Sequence, residues 1–523
     1  MVKDQAARER VLDLNTSFLV QAPAGSGKTS ILVQRFLSAL AVAKTGPEEI
    51  IAITFTRKAA AQMRARILDA LSLATKEAPT DAYALTLWQL ARRVLARDKQ
   101  TGWCLQDNPS RLKIQTIDSL CSSIVQQMPI LARFGAQPQI EPAPELLYAR
   151  AVEQLLVNLE HTSDWQSAFF CLLQHLDNDR LRVKNLLIDM LQIREHWLLV
   201  LGAKNKRAQL KQQLEKSLHW LREESLADIY TTIPAALNFS LLGVDEPTSI
   251  DDWLHIAVLL LTSENTWRKK FNKNQGFPAI SSARNDAEKE LLQARNQAGL
   301  QMLEQLENAE AFRLQLELMR KLPPAVYTEQ QWQVLDALTE ILPLLAAQLL
   351  VVFRDSGTVD FTEVALAAIH ALADVDAPTD LALTLDCKIQ HILVDEFQDT
   401  SHLQFKLLEQ LTASWEPYDG RSLFLVGDPM QSIYRFRQAE VGLFLKAKEQ
   451  GINNIALEFV QLQVNFRAQA ALLNKINQIF IPSFPQLDNI SLGAISYMPA
   501  QAAVASTIST PIEFIAVESE TTH

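Results

Sequence analysis

The sequence predicts an α/β fold: a parallel sheet with helices on both faces, a large and mostly helical insertion, and the opening of a further domain. Three observations carry this expectation. Short apolar runs at Phe18–Val20, Ile50–Thr56, Ile392–Val394 and Leu423–Val426 end in polar residues and give way to helical patterns. Such runs suit parallel strands buried on both faces. From about 145 to 350 the pattern turns to long Leu-, Gln-, Glu-, Lys- and Arg-rich helices with little glycine. At 523 residues the chain is too long for one core, so about two to four domains are expected.

Composition narrows the class. Hydrophobic residues make up 48% and charged residues 21% of the chain, as in ordinary globular proteins. The net charge of −11 excludes a generally basic coat but not a local basic groove. Cys104, Cys121, Cys171 and Cys387 show no metal-ligand or CxxC spacing, so reduced thiols and a cytoplasmic location are expected. The N-terminus, MVKDQAARER, lacks a signal-peptide core. The apolar run Ile341–Phe353 is too short to span a bilayer and reads as a buried helix.

Taken in order, the chain opens with a polar helical stretch carrying Gln5 and a strand at Phe18–Val20. The loop Ala22-Pro23-Ala24-Gly25-Ser26-Gly27-Lys28-Thr29 follows, then an amphipathic helix from Ser30 to Val42. Strand, glycine-rich loop and helix are the context for wrapping a polyphosphate in backbone N–H groups. Lys28 would pair with the β- and γ-phosphates, and the Thr29 hydroxyl would bind Mg2+. Ala22 replaces the usual first glycine of GxxxxGK[ST], at a position that needs only a small residue.

The second strand runs into Thr54-Phe55-Thr56-Arg57-Lys58 and a helix with Arg64 and Arg66. Thr54 and Thr56 can reach phosphates and Phe55 can stack on a base, which suits single-stranded nucleic acid. A strand end with a core Phe is the competing reading. Thr116 and Ser119, at a further strand-to-helix switch, are phosphate donors or helix caps. Residues 138–144 (PQIEPAP) read as a linker. Inside the helical region, residues 267–278 (WRKKFNKNQGFP) form a basic loop with three aromatics, either a DNA contact or a solvated loop.

Residues 359–363 return the chain to the first domain. The strand at 392–394 delivers Asp395 and Glu396 to the carboxyl edge of the sheet, where open α/β sheets bind ligands. Two adjacent acids there can divide phosphoryl transfer, one holding Mg2+ and one orienting and deprotonating water. The strand at 423–426 ends in Gly427-Asp-Pro-Met-Gln-Ser-Ile-Tyr-Arg-Phe-Arg437. Gln431 sits where an amide can sense a γ-phosphate, and Tyr434 and Phe436 are spaced to line a groove. Arg467 is expected at the start of a helix running from Ala468 to Phe480, and a strand is expected at Thr510–Val517.

These blocks, in this order, resemble superfamily 1 helicases of the UvrD/Rep/RecB kind through 1–144 and 356–470. AxxGSGKT, TFTRKAA, TIDSLC, VDEFQDT, GDPMQSIYRFR and VNFRA are similar to motifs I, Ia, Ib, II, III and IV. The helical middle resembles domain 1B by position, and its length is closer to the AddA/RecB branch. The resemblance implies a RecA-like domain 1A at 1–144 and 356–465, domain 1B at 145–355, and an incomplete domain 2A at 466–523.

The resemblance also implies roles. Gln5 would read adenine. Residues Ala22 to Ser30 would cradle ATP, with Lys28 on phosphate and Thr29 and Asp395 on Mg2+. Glu396 would be the catalytic base. Gln431 would couple the γ-phosphate to DNA. Arg467 would be an arginine finger, and Phe466 would stack on adenine. Thr54, Phe55, Thr56, Tyr434 and Phe436 would line a single-strand channel, with Arg437 at the junction of the two sites. Asp118 stands where motif Ib usually has His, so no DNA contact is assigned to it. Motifs V and VI have no counterpart, which marks the chain as an N-terminal portion with weak or absent turnover of its own.

The expected function is an ATP-dependent DNA helicase or translocase of repair or recombination. It would move 3′ to 5′ on single strands and single-strand/duplex junctions, with a nuclease or repair protein as partner and no membrane. The alternatives are a helicase subunit of a RecBCD- or AddAB-like helicase–nuclease complex, and a nucleotide-gated DNA-binding subunit that does not unwind. A P-loop kinase or transporter ATPase fails on Asp395-Glu396-Phe-Gln-Asp399 and on Gly427-Asp-Pro-Met-Gln431.

Overall fold

The computed structural model describes residues 3–127, 139–157, 165–201, 206–372, 379–434, 438–490 and 493–505. Phe436, Arg437 and the strand expected at Thr510–Val517 lie outside them. The chain forms two compact units. One comprises Met1–Asn158, Leu186–Trp197 and Leu345–His523, and the other Leu159–Asn185 and Leu198–Leu344.

The first unit is built on six parallel strands. They are β1 (Phe18–Gln21), β2 (Ile50–Thr54), β3 (Lys113–Thr116), β6 (His391–Val394), β7 (Ser422–Gly427) and β8 (Glu458–Gln461), in the order β3-β2-β6-β7-β1-β8. Between them in sequence, β4 (Gln139–Ile140) pairs with β5 (Thr358–Val359). Part of the stretch expected as a linker is therefore a strand, held because Gln139 and Glu141 donate to the carbonyls of Gly357 and Val359. After β8, β9 (Val464–Gln469) pairs in parallel with β10 (Gln501–Val504).

Burial follows position in the sheet. The four inner strands β2, β6, β7 and β1 are buried at every residue, whereas the edge strands β3 and β8 expose one residue each. The continuous apolar runs are what two covered faces require. One face packs on helices Lys28–Val42, Arg57–Leu73 and Ala82–Thr101 through Phe36, Leu40, Met63, Ile67, Ala91 and Val94. Local signals set the helix starts. Thr56 Oγ1 accepts from Ala59 N at 3.1 Å, and Ser401 Oγ accepts from Gln404 N at the start of His402–Leu411.

Register aligns the strand ends. Val20 lies opposite Val426, Val394 opposite Leu425, and Ile53 opposite Val394. The residues just past β1, β2, β6 and β7 therefore emerge along one edge.

The second unit is helical. Among its described residues the only extended pairing is the bridge Leu261–Trp267. Its core centres on Trp253, fully buried, with Tyr230, Phe239 and Phe312 edge-on at 5.8, 6.1 and 5.9 Å. The aromatics of the basic loop join this packing. Trp267 stacks on Phe312, and Phe271 on Phe277 at 4.5 Å. Lys269, Lys270 and Lys273 stay exposed. By length and composition, the helix Glu329–Ser356 could cross a membrane; Ile341, Leu345, Leu349 and Val352 form a buried stripe along it.

Candidate active site

The loop after β1 is shaped by two glycines. Gly25 and Gly27 take φ of +76° and +88°, a region that side-chain-bearing residues rarely enter. Ala22 is buried and donates its N–H to Gly427 O at 2.9 Å, fixing the loop base to the end of β7. Lys28 and Thr29 open the helix Lys28–Val42, and Ser30 N donates to Gly27 O. Ser26 Oγ is buried without a protein partner.

Lys28 Nζ reaches Glu396 Oε2 at 2.8 Å, joining positions 368 residues apart. Glu396 itself adopts φ +52°, a left-handed conformation that is strained for a residue with a side chain. Asp395 N donates to Ile53 O at 2.8 Å, which continues the ladder one step past β6. Burial, reinforced by neighbouring Glu396, raises Asp395 to about 7. Burial also raises Asp399 to about 6 and raises Asp428.

Gln398, to which the sequence assigned no role, is 2% exposed and links these groups. Its Nε2 donates to Glu396 Oε2 at 2.9 Å and to Asp399 Oδ2 at 3.2 Å, while its Oε1 accepts from Asp428 N at 2.9 Å. Gly427 makes room for it, since a Cβ at 427 would lie 2.5 Å from Gln398 Oε1. Asp428 in turn accepts from Gln431 Nε2, and Asp399 accepts from Ser432 Oγ at 3.1 Å. A hydrogen-bonded chain thus runs from Lys28 through Glu396 and Gln398 to Asp428 and Gln431. Its sequence signal was an amide two residues past the paired acids.

Beyond Gln431, Tyr434 packs on Phe55 with ring centroids 4.4 Å apart. The expected groove residues Phe55 and Tyr434 thus meet. Thr54 is buried and donates to Thr56 O, and Thr56 caps its own helix.

Arg467 lies on β9 and not at a helix start; the helix begins at Ala470. The reason is local. Phe466 N donates to Gly25 O at 2.9 Å and Asn465 Nδ2 to Ala24 O at 2.6 Å, so the segment extends along the loop. A Cβ on Gly25 would meet Asn465 at 2.8 Å and Arg467 Cβ at 3.0 Å. Arg8, also unassigned from sequence, places its guanidinium 5.0 Å from the Phe466 ring centre. Asp4 holds Arg8 at 2.7 Å and accepts from the N–H groups of Gln463 and Val464. Gln5 bonds Glu9 on its own helix.

A family model described as the UvrD/REP helicase N-terminal domain matches residues 3–451. The chain is also similar to proteins named as ATP-dependent helicase/nuclease subunits. That of Lysinibacillus sphaericus is 27% identical over 503 residues, covering 88% of this chain and 38% of the relative. Those of Exiguobacterium sibiricum and a Thermoanaerobacter species are 26% and 25% identical, each covering 94% of this chain and 40% of the relative. The chain thus spans about two fifths of the length of these relatives.

Proposed function

Because the chain belongs to the UvrD/REP helicase N-terminal domain family, we propose that it is the ATP-binding front of a DNA helicase, working within a cytoplasmic helicase–nuclease assembly. The helicase–nuclease part rests on the names of the relatives. The observation that carries the motor reading is the Lys28–Glu396 pair and its hydrogen-bonded continuation to Gln431.

In this reading residues 1–144 and 356–465 make the first motor domain, 145–355 the insertion, and 466–523 the opening of the second. ATP phosphates lie on the N–H groups of the loop Ala22–Ser30, where buried Ser26 Oγ offers a further donor. Lys28 leaves Glu396 for the phosphates, freeing Glu396 to take a proton from water. Thr29 and Asp395 would hold Mg2+. The donor set fits: Asp395 is a single buried carboxylate just past β6, and Mg2+ typically pairs one or two carboxylates with substrate phosphates. A cation there would also favour the ionised form of Asp395, which burial disfavours. When bound, Mg2+ neutralises charge developing on the phosphates.

Phe466 and Arg8 flank the base and Gln5 reads adenine. Arg467 supplies positive charge to the transition state. Gln431, on the loop that also carries Tyr434, passes the state of the γ-phosphate to Phe55 and Tyr434, which with Thr56 and Phe436 face single-stranded DNA, while buried Thr54 holds the Thr56 carbonyl. Arg437 joins the two sites. Movement is 3′ to 5′, toward single-strand/duplex junctions.

The test is ATP turnover with and without single-stranded DNA, in this chain and in longer forms of the protein, with Glu396→Gln as control. Turnover stimulated by DNA and abolished by Glu396→Gln supports the reading. DNA binding with no turnover in any form would replace it with a nucleotide-gated clamp.

A further inference from the structure

Glu195 and His196 come from a stretch where the sequence showed only helical pattern. They lie in Leu186–Trp197, which clusters with the sheet unit although the chain on either side of it does not. Arg194 anchors the stretch. It is 1% exposed and donates to both carboxylate oxygens of Asp360, at 2.7 and 2.5 Å. Asp360 also accepts from the Tyr148 hydroxyl and from Glu363 N, at the start of the helix Phe361–Leu372.

The next two residues reach the two loops of the candidate site. Glu195 Oε2 accepts from Ser401 Oγ at 3.2 Å, one residue beyond VDEFQDT. His196 Nε2 donates to Gln438 Oε1, and its ring meets His402 edge-on at 5.5 Å. The two loops are themselves joined here, because Ser401 bridges Ala439 and Glu440 N donates to Thr400 O at 3.1 Å. Gln438 carries φ +63°, a conformation that needs support in a residue with a side chain. It lies four residues past Tyr434 on the same loop.

We propose that Glu195 and His196 are positioning residues that clamp the far foot of the loop after β7 to the loop after β6, so that Gln431 and Tyr434 respond to nucleotide as one body. This rests on the reading of those loops as the link between ATP and DNA. The buried Arg194–Asp360 pair already holds the segment in place. His196 is exposed, so its hydrogen bond contributes little to global stability. Its loss should therefore show in the position of the loop and not in folding.

Two measurements on the 523-residue chain test this. The first is amide hydrogen exchange at Gln438–Glu440 in the parent, His196→Ala, Glu195→Ala and His196→Gln. Exchange about tenfold faster in the first two variants, restored in His196→Gln, which keeps an N–H donor, is the expected result. Unchanged exchange overturns the proposal. The second is the affinity for a fluorescent oligothymidylate with and without a non-hydrolysable ATP analogue and Mg2+. The parent should show a nucleotide-dependent change of about fivefold or more. In His196→Ala that change should fall toward one while nucleotide affinity stays within about twofold of the parent. A change retained in full overturns the proposal. If the parent shows no change, the functional reading fails, and the exchange experiment still decides whether the clamp exists.

Discussion

At the amino ends of β1, β6 and β7, the fully buried guanidinium of Arg35 donates to the carbonyls of Val11, Asp13 and Thr16 and to Ser422 Oγ. At the carboxyl ends of the same strands, Asp395, Asp399 and Asp428 are pushed toward their neutral forms. Both edges bury charge. The amino edge surrounds one cation with four acceptors on its two terminal nitrogens, leaving Arg35 Nε buried without a partner among the described residues. It also has a buried histidine, His391, bonded to Ser422 and lowered to about 4 by burial and then by Arg35. The carboxyl edge gathers acids around a single lysine and leaves Glu396 and Gln438 in left-handed backbone. Acceptors gathered round a buried cation tie strand ends together, whereas acids raised by burial would gain from a cation brought by a ligand.

The sharpest way to break this contrast is Glu396→Gln. Turnover in a DNA-stimulated form should fall by about 10²–10⁴, with the urea midpoint nearly unchanged. Turnover that survives would remove the carboxyl edge from the chemistry. The reciprocal variant, Arg35→Met, should lower unfolding free energy by about 3 kcal/mol, because it leaves buried carbonyls without donors, while activity per folded molecule is kept. Equal loss of activity in Arg35→Met would merge the two edges into one.

Gly427→Ala tests the link between the two site loops. A Cβ there must displace Gln398, at a cost of about 1–3 kcal/mol, and turnover should fall further than stability does. A stability loss alone would make Gln398 a packing residue. The smallest effect is a slope with pH. His391 has a folded-state pKa depressed to about 4, so its contribution is present above the unfolded value and is lost as pH falls from about 6.5 through 4. Asp399, raised to about 6, acts in the opposite sense: its contribution is present below the ordinary carboxylate range and is lost as pH rises through 6. Chemical unfolding from pH 4 to 7 on His391→Gln and Asp399→Asn should remove these opposing slopes one at a time. Parallel curves for parent and His391→Gln would show that the amino edge does not titrate.

The carboxyl edge was the more legible of the two. Gly25 and Gly27, Lys28, and the acids after Ile392-Leu-Val394 announce themselves, because a phosphate loop and a strand-end carboxylate pair need particular residues at fixed spacing. Gln398, Asp428 and Arg8 did not, since Gln398 joins Asp428, and Arg8 joins Phe466, only across a long stretch of sequence. Arg35 was also silent, as an arginine inside an amphipathic helix is usually solvent-facing. The placement of Arg467 was misjudged because helical pattern continues up to it, while the Asn465 and Phe466 bonds to the loop after β1 decide its backbone. In the helical unit, periodicity foretold helices. It did not show that Trp267, Phe271 and Phe277 of the basic loop turn inward, because aromatics among lysines fit either side of a surface.

The position of β1 has a consequence for synthesis. Its neighbours in the sheet are β7 and β8, so Phe18-Leu-Val20 leaves the ribosome some 400 residues before either partner strand exists. At about 5–20 residues per second, that interval is roughly 20–80 s. Throughout it, a strand built to be covered on both faces and both edges has no lasting place. The nascent chain must shelter it against the helices Lys28–Val42 and Arg57–Leu73 or hand it to a chaperone. Ribosome-bound chains halted before Ser422 should be cut by protease near β1, and chains extended past Gln461 should resist.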